Sequence, residues 1–121
     1  KCFNPAAIFH YDLEAHAAIY AIQAALAEAR LSADAITQVS ACANSTRAGD
    51  VMESTALQAS LGPRYSNYIL HAVKALTGEP FSAGGAMQIA SILQDVQNGN
   101  ALIDSFGPIG TSSALVIRNG S

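Results

Sequence analysis

The residues that could do chemistry fall in three polar or glycine-bearing segments: 41–50, 74–85 and 104–112. The first contains the thiol of Cys42, and the second contains the ammonium of Lys74 and the carboxylate of Glu79. A cysteine acts as a nucleophile when a neighbouring base activates it, and no histidine lies near Cys42 in the sequence. The sequence therefore favours a small buried thiol at Cys42 over a nucleophile.

The sequence does not decide whether the two charged residues of the second segment, Lys74 and Glu79, interact with each other. They form an ion pair that orders the loop in one interpretation and are separately solvated in the other. Residues 82–85, at a predicted helix start, could cradle a phosphate but lack the lysine–hydroxyl pair of a P-loop and a GxGxxG pattern. Close backbone packing explains these glycines better. No pair of the three histidines has metal-ligand spacing with a carboxylate, so no metal site is predicted.

Alternating helices and strands are predicted to position these segments. Helices are expected over 12–31, 50–61 and about 82–97, and strands over 36–42, 68–73, 101–105 and 114–117. Asp12 is the predicted cap of the first helix, and Asp50 with Glu53 forms a capping-box-like pair at the second. The last two strands flank a glycine-bearing turn and form a predicted hairpin. The order α-β-α-β-α-β-β indicates an α/β layered domain with its site at the strand ends.

Composition excludes several classes of function. The 121 residues suit one domain, and a net charge of −3 excludes nucleic-acid binding by phosphate neutralisation. No apolar run is long enough to cross a membrane, and residues 1–10 show no signal-peptide pattern. Two cysteines make no disulfide framework, so a cytoplasmic protein is expected. Charged residues make up 12%, against roughly 25% in ordinary soluble domains. This fits either a chain whose surface is largely covered by a partner or simply a domain of low charge.

Taken together, the three segments resemble the carboxyl-terminal half of the β-ketoacyl synthases, in the thiolase-like superfamily. Residues 41–53 follow a family pattern A-H-G-T-x-T-x-x-x-D-x-x-E, and residues 74–85 follow K-x-x-x-G-H-x-x-x-A-G-G. Residues 105–112 follow S-F-G-F-G-G-T-N before an apolar strand. The pocket and scaffold residues that the resemblance assigns are Thr46, Asp50, Glu53, Lys74, Gly78, Phe106, Gly107 and Gly110.

This resemblance covers nearly the whole chain and carries structural expectations. Residues 1–121 are expected to form a C-terminal ketosynthase-like half domain with layered helices on a mixed sheet, the N-terminal half being absent from this chain. It implies that Lys74 is buried, with Glu53 or Asp50 as its partner. Family members carry a further connecting segment at the position between Asn100 and Ala101. Either this segment is deleted in the present chain, or its residues are left out of the numbered sequence.

Three positions depart from the catalytic pattern of the family. Cys42 and Glu79 stand where the resemblance places two histidines, and Pro108 stands where it places a backbone oxyanion-hole donor. A thiol is a weak donor, and a carboxylate opposes a developing enolate. Proline has no N–H, and losing one oxyanion-hole donor typically lowers the rate by about 10²–10³. No catalytic residue is therefore expected in this chain.

A ketosynthase-like fold without catalytic groups resembles the chain-length factors of type II polyketide synthases. The resemblance implies a silent subunit in a heterodimer with an active β-ketoacyl synthase, for decarboxylative Claisen condensation of acyl and malonyl thioesters in polyketide or fatty-acid-type biosynthesis. Expected partners are that active subunit, an acyl carrier protein with its phosphopantetheine, and the N-terminal half of the fold as a separate or cleaved chain. No cofactor is expected on this chain.

Three alternative functions remain open from the sequence. The chain could be part of an active β-ketoacyl-carrier-protein synthase, a purely structural partner without influence on product length, or a small α/β ligand-binding domain. The product, its chain length and the surface that docks the carrier protein are not predicted.

Overall fold

The computed structural model describes residues 2–8, 10–62, 68–93, 99–107 and 109–118. The strands are β1 (Cys2–Ile8), β2 (Ile36–Ser40), β3 (Ile69–His71), β4 (Asn100–Phe106) and β5 (Ile109–Arg118). The helices are α1 (His16–Ala29), α2 (Arg47–Leu61), α3 (Lys74–Thr77) and α4 (Gly84–Leu93). Short 3₁₀ turns, Ala33–Ala35 and Phe81–Ala83, precede β2 and α4.

One mixed sheet organises the chain, with strand order β1-β5-β4-β2-β3. β2 runs parallel to both β3 and β4, and β5 is antiparallel to β4 and β1. Ser40, at the end of β2, is in register with His71 of β3 and Ile103 of β4. The carboxyl ends of the three parallel strands therefore lie at one edge, and this brings the three chemistry-bearing segments together.

The predicted α/β class is confirmed, and its element order needs two corrections. The sheet begins with β1, which the sequence interpretation missed because Pro5 disfavours a strand. β1 occupies an end of the sheet, with β5 as its neighbour, and a proline is tolerated on an edge strand. The helical turn α3 lies inside the segment predicted as a loop over 74–85.

Both predicted helix caps are wrong in detail. α1 begins at His16 rather than near Asp12, because the Asp12 carbonyl first accepts from the Ala15 N–H in a tight turn. The Asp12 carboxylate still accepts the His16 N–H at 3.1 Å. The cap of α2 is Thr46, whose hydroxyl accepts the Gly49 N–H at 3.1 Å. The carboxylate of Glu53 is instead hydrogen-bonded to the loop that follows β2.

Two predicted strands extend beyond the observed ones, and two are shorter than the observed ones. β2 and β3 end at Ser40 and His71, before the predicted limits of 42 and 73. β4 and β5 are longer than predicted. The predicted end of the third helix, residues 94–97, falls outside the described residues.

The main hydrophobic core lies between one face of the sheet and helices α1 and α2. Its most buried side chains include Ile22, Leu57, Val39 and Leu102. On the other face, Ile92 of α4 packs on Ala101 and Ile103 in a second, smaller cluster. No helix in the described part of the chain is both long and apolar enough to span a membrane.

The face covered by α4 leaves apolar side chains in contact with solvent. Ala114 and Val116 pack against the main core, so the intervening Leu115 of β5 points to the α4 face, where it is 46% exposed. Leu93, at the end of α4, is also exposed. Exposed apolar side chains of this kind mark candidate contact surfaces when they cluster.

Candidate functional site

A cavity of about 730 Å³ opens at the carboxyl edge of the parallel strands. Of the residues assigned from the sequence, those that line it are Cys42, Thr46, Lys74, Glu79, Phe106 and Gly107. Tyr11 and Asn44 join them, and their side chains hydrogen-bond to each other. Tyr11 was not predicted, because it lies far from the other segments in sequence.

Other predicted site residues lie apart from this cavity. Asp50 and Glu53 line a separate recess of about 250 Å³. Gly110, with a φ of 79°, borders a narrow space beside Met52. Pro108, the predicted defect in the oxyanion hole, lies outside the described residues.

The loop after β2 is held by two buried acidic side chains. The Cys42 N–H donates to Glu53 Oε1 at 2.6 Å and to Asp104 Oδ1 at 2.7 Å. The Ala43 N–H donates to Glu53 Oε2 at 2.9 Å. Glu53 is 6% exposed and Asp104 is 0% exposed, so both carboxyl groups are shielded from water. Glu53, a predicted scaffold residue, therefore anchors the backbone that presents Cys42.

Asp104 is a site residue that sequence reasoning missed. Burial raises its pKa well above the ordinary aspartate range, and the charge of Glu53 and a hydrogen bond with it act in the same direction. The Cys42 N–H and the Lys74 charge act against the shift. This environment therefore favours the protonated form of the Asp104 carboxyl group. A lone acidic residue inside an apolar strand was the available signal in the sequence.

The Cys42 thiol is enclosed and hydrogen-bonded. It is 4% exposed, as expected for a small buried thiol, and its Sγ lies 3.7 Å from the Phe106 carbonyl oxygen. Lys74 Nζ lies 3.5 Å from the same sulfur. Burial raises the pKa of Cys42 despite the nearby ammonium. Because the thiolate is the reactive form, this environment disfavours nucleophilic attack.

Lys74 and Glu79 form an ion pair, which decides between the two interpretations of the sequence. Lys74 Nζ donates to Glu79 Oε2 at 2.8 Å, and Glu79 Oε1 accepts the Phe81 N–H at 2.9 Å. The pairing lowers the pKa of Glu79. Burial opposes the charge of Lys74, but its contacts with Glu79 and Cys42 raise its pKa overall. The salt bridge of Lys74 is thus with Glu79 and not with Glu53 or Asp50.

This arrangement provides a polar wall without an imidazole. No histidine lines the cavity within the described part of the chain. The ammonium of Lys74 is directed at Glu79 and Cys42, and the thiol is directed at a carbonyl oxygen. The side chains can bind and shape a ligand, but their strongest donors already have partners inside the wall.

The backbone of the Cys42 loop includes left-handed residues that are not glycine. Ala43 has a φ of 41° and Ser45 has a φ of 61°. Such conformations are unfavourable for L-residues by about 1–2 kcal/mol. Asn44 supports the loop, since its Oδ1 accepts the Thr46 N–H at 3.0 Å.

Ala43→Gly is expected to raise the free energy of unfolding by about 0.5–1 kcal/mol, because relief of the left-handed strain exceeds the added freedom of the unfolded chain. Urea unfolding of the protein measures this change. Ala41→Gly is the matched control, since Ala41 is buried and has no positive φ. That variant should be destabilised, and equal losses in both variants would contradict the strain argument.

Comparison with solved structures shows the same fold in ketosynthase assemblies. A chain of the AntDE:AntF structure, a type II PKS acyl-carrier protein in complex with its ketosynthase bound to the hexaketide, superposes with a TM-score of 0.91 at 20% identity. The match covers 98% of this chain and 36% of that one. The PfaC keto synthase–chain length factor superposes with a TM-score of 0.76 at 29% identity, over 88% of this chain and 12% of that one.

The chain thus spans about a third of the length of the first structure and about an eighth of the second. None of the curated proteins matches the sequence significantly. Residues 3–102 match the family described as beta-ketoacyl synthase, C-terminal domain. That match extends over most of the chain and includes the segments that carry Cys42, Lys74 and Glu79. This chain therefore belongs to the family of beta-ketoacyl synthase C-terminal domains.

Proposed function

We propose that this chain is part of a catalytically silent, chain-length-factor-like subunit that pairs with an active β-ketoacyl synthase. The active partner supplies the cysteine nucleophile and performs the decarboxylative condensation of acyl and malonyl thioesters. The present chain contributes part of the wall that encloses the growing product. The observation that carries the proposal is the Lys74–Glu79 ion pair beside a protonated Cys42.

Electrostatics support catalytic silence. Condensation develops negative charge on an enolate, and a catalytic site stabilises that charge with preorganised donors. Glu79 brings a carboxylate to the cavity, and its lowered pKa keeps it ionised at neutral pH. Lys74 neutralises that carboxylate instead of facing the cavity as a free cation. The Cys42 thiol hydrogen-bonds to the Phe106 carbonyl and provides no strong donor.

Aromatic side chains at the cavity support a role in shaping a product. Phe106 lines the cavity as a buried residue, whereas Phe81 lines it with 85% of its surface exposed. Phe81 has a φ of 51°, and the hydrogen bond from its N–H to Glu79 fixes the backbone there. The ion pair therefore also positions an aromatic ring beside the cavity.

The partners follow from the same proposal. The exposed apolar face beside α4 fits the N-terminal half of the fold, supplied by a separate, cleaved or continuous chain. The heterodimer acts in the cytoplasm on substrates carried by the phosphopantetheine of an acyl carrier protein. With six basic residues in 121, this chain offers little surface for an acidic carrier, so docking falls mainly on the active subunit.

Reconstitution of the whole complex tests the proposal, with carbon dioxide release from malonyl-carrier protein and product length as readouts. Mutation of the partner's nucleophilic cysteine should abolish turnover, and the double variant Cys42→His with Glu79→His should leave turnover unchanged. Phe81→Ala and Phe106→Ala should change product length. Leu13→Ala is the control, because Leu13 is exposed but lies outside this cavity.

Each alternative function predicts a different result. Turnover that survives loss of the partner's cysteine, or that changes with the double histidine variant, would favour an active synthase. Unchanged product length in both phenylalanine variants would favour a purely structural partner. A stable, isolated monomer without a ketosynthase partner would favour a small ligand-binding domain.

A further inference from the structure

We propose that Glu53 and Asp104 share a single proton and act together as a positioning pair for the Cys42 loop. The pair lies behind the cavity wall rather than in it, since neither residue lines the cavity. The inference goes beyond the proposed function and holds whether or not the protein is catalytically silent.

The geometry forces the two carboxyl groups together. One N–H, that of Cys42, lies 2.6 Å from Glu53 Oε1 and 2.7 Å from Asp104 Oδ1. The shared donor places both carboxyl groups beside the same N–H, and the Asp104 side chain hydrogen-bonds to that of Glu53. Asp104 Oδ2 is buried and finds no other hydrogen-bond donor among the described residues. An oxygen in that position is satisfied when the carboxyl group is protonated and donates to its neighbour.

Charge repulsion explains why one proton is retained. Two adjacent carboxylates in a shielded site cannot both ionise without a large penalty, so one keeps its proton. Glu53 accepts two backbone N–H groups, whereas Asp104 accepts one. A carboxylate is stabilised by such donors, so the proton belongs on Asp104.

The surroundings supply limited compensation. The charged groups that act on Asp104 are Glu53 from α2 and Lys74 from α3, and the latter is paired with Glu79. Cys42 contributes its N–H from the loop. α4 contributes the neutral Gln88, which donates to the backbone carbonyl of Asp104 and not to its carboxyl group. None of these groups is available to neutralise a negative charge on Asp104 in addition to that on Glu53.

A pH dependence with a definite sign follows. The folded protein holds a proton on Asp104 that the unfolded chain releases near pH 3.9. The stability from this group is fully present below that pH and is lost as pH rises toward the raised folded pKa. One such proton raises the unfolding equilibrium constant by up to about tenfold per pH unit across this window.

Asp104→Asn distinguishes the effect of the titrating proton from the effect of the hydrogen bonds. Asparagine accepts the Cys42 N–H through its oxygen and donates to Glu53 through its amide, without titrating. Urea unfolding from about pH 4 upward, where the window opens, compares this variant with the unmodified protein. The ratio of their unfolding constants should change by up to about tenfold per pH unit. Asp50→Asn, an exposed carboxylate on the same helix as Glu53, should leave the dependence unchanged.

Two direct readouts complete the test on the whole protein. At about pH 5, above the ordinary aspartate pKa, the infrared carbonyl band of a protonated carboxylic acid should be stronger in the unmodified protein than in Asp104→Asn. Amide hydrogen exchange at Cys42 and Ala43 should remain slow in Asp104→Asn and become fast in Asp104→Ala. An acid band of equal strength in the two proteins, or an unchanged pH dependence, would overturn the inference. None of these results depends on turnover, so they cannot be confused with failure of the proposed function.

Discussion

Replacement of Glu53 with alanine is expected to lower the free energy of unfolding by about 2–4 kcal/mol. The change removes the acceptor of the Ala43 N–H and one of two acceptors of the Cys42 N–H. Each buried donor left without a partner is unfavourable by about 1–3 kcal/mol. Asp104 remains bound to Cys42, which limits the loss. Urea unfolding at neutral pH measures the change.

Glu53→Gln distinguishes the lost acceptor from the lost side-chain volume. Glutamine fills the same space, but its amide nitrogen faces one of the two N–H groups that the carboxylate accepts. We expect Glu53→Gln to be destabilised by about half as much as Glu53→Ala. Full stability in the glutamine variant would show that packing, rather than hydrogen bonding to the loop, explains the role of Glu53.

The sequence predicted the elements whose patterns are local. Residues 36–42 were predicted as a strand from their apolar and polar alternation, and residues 101–105 from a short apolar run. The glycine-bearing turn over 107–110 predicted the hairpin. Because parallel strands end at one edge, the convergence of the loops containing Cys42, Lys74 and Phe106 also followed. The motifs in those loops predicted the family, which the match over residues 3–102 confirms.

The missed features depend on contacts between distant parts of the chain. Glu53 resembled a helix cap in sequence, but its partner is a loop ten residues earlier, and the cap is Thr46. Asp104 lies 62 residues from the N–H that it accepts, so no local pattern marks it. β1 is stable because β5 provides its hydrogen-bonding partner, and strand propensity does not contain that information.

Gln88 is another residue with a structural role that was not predicted from the sequence. Gln88 lies between the apolar residues Met87 and Ile89 of α4 and is only 1% exposed. Its Nε2 donates to the Ser40 carbonyl at 3.0 Å and to the Asp104 carbonyl at 2.8 Å. These carbonyls belong to neighbouring parallel strands near the edge that carries the site. Gln88 therefore connects α4 by hydrogen bonds to the carboxyl ends of β2 and β4.

Gln88→Ala is expected to lower the free energy of unfolding by about 2–4 kcal/mol, because two buried carbonyl groups lose their donor and a cavity is left. Gln88→Leu is the matched variant, since leucine restores most of the volume but cannot donate a hydrogen bond. We expect Gln88→Leu to recover about 1 kcal/mol at most. Guanidinium unfolding of both variants separates the two contributions, and full recovery in the leucine variant would contradict the hydrogen-bonding role.

Loss of Gln88 should also destabilise the Cys42 loop, because Ser40 directly precedes that loop and the Asp104 carboxyl group accepts the Cys42 N–H. Amide exchange at Cys42 should accelerate in Gln88→Leu, even though Gln88 does not line the cavity. The control is the backbone amide of Leu26, in α1 on the opposite face of the sheet. Its exchange should accelerate only by the amount that corresponds to the lower free energy of global unfolding. If both amides accelerate equally, Gln88 stabilises the fold as a whole and does not position the loop.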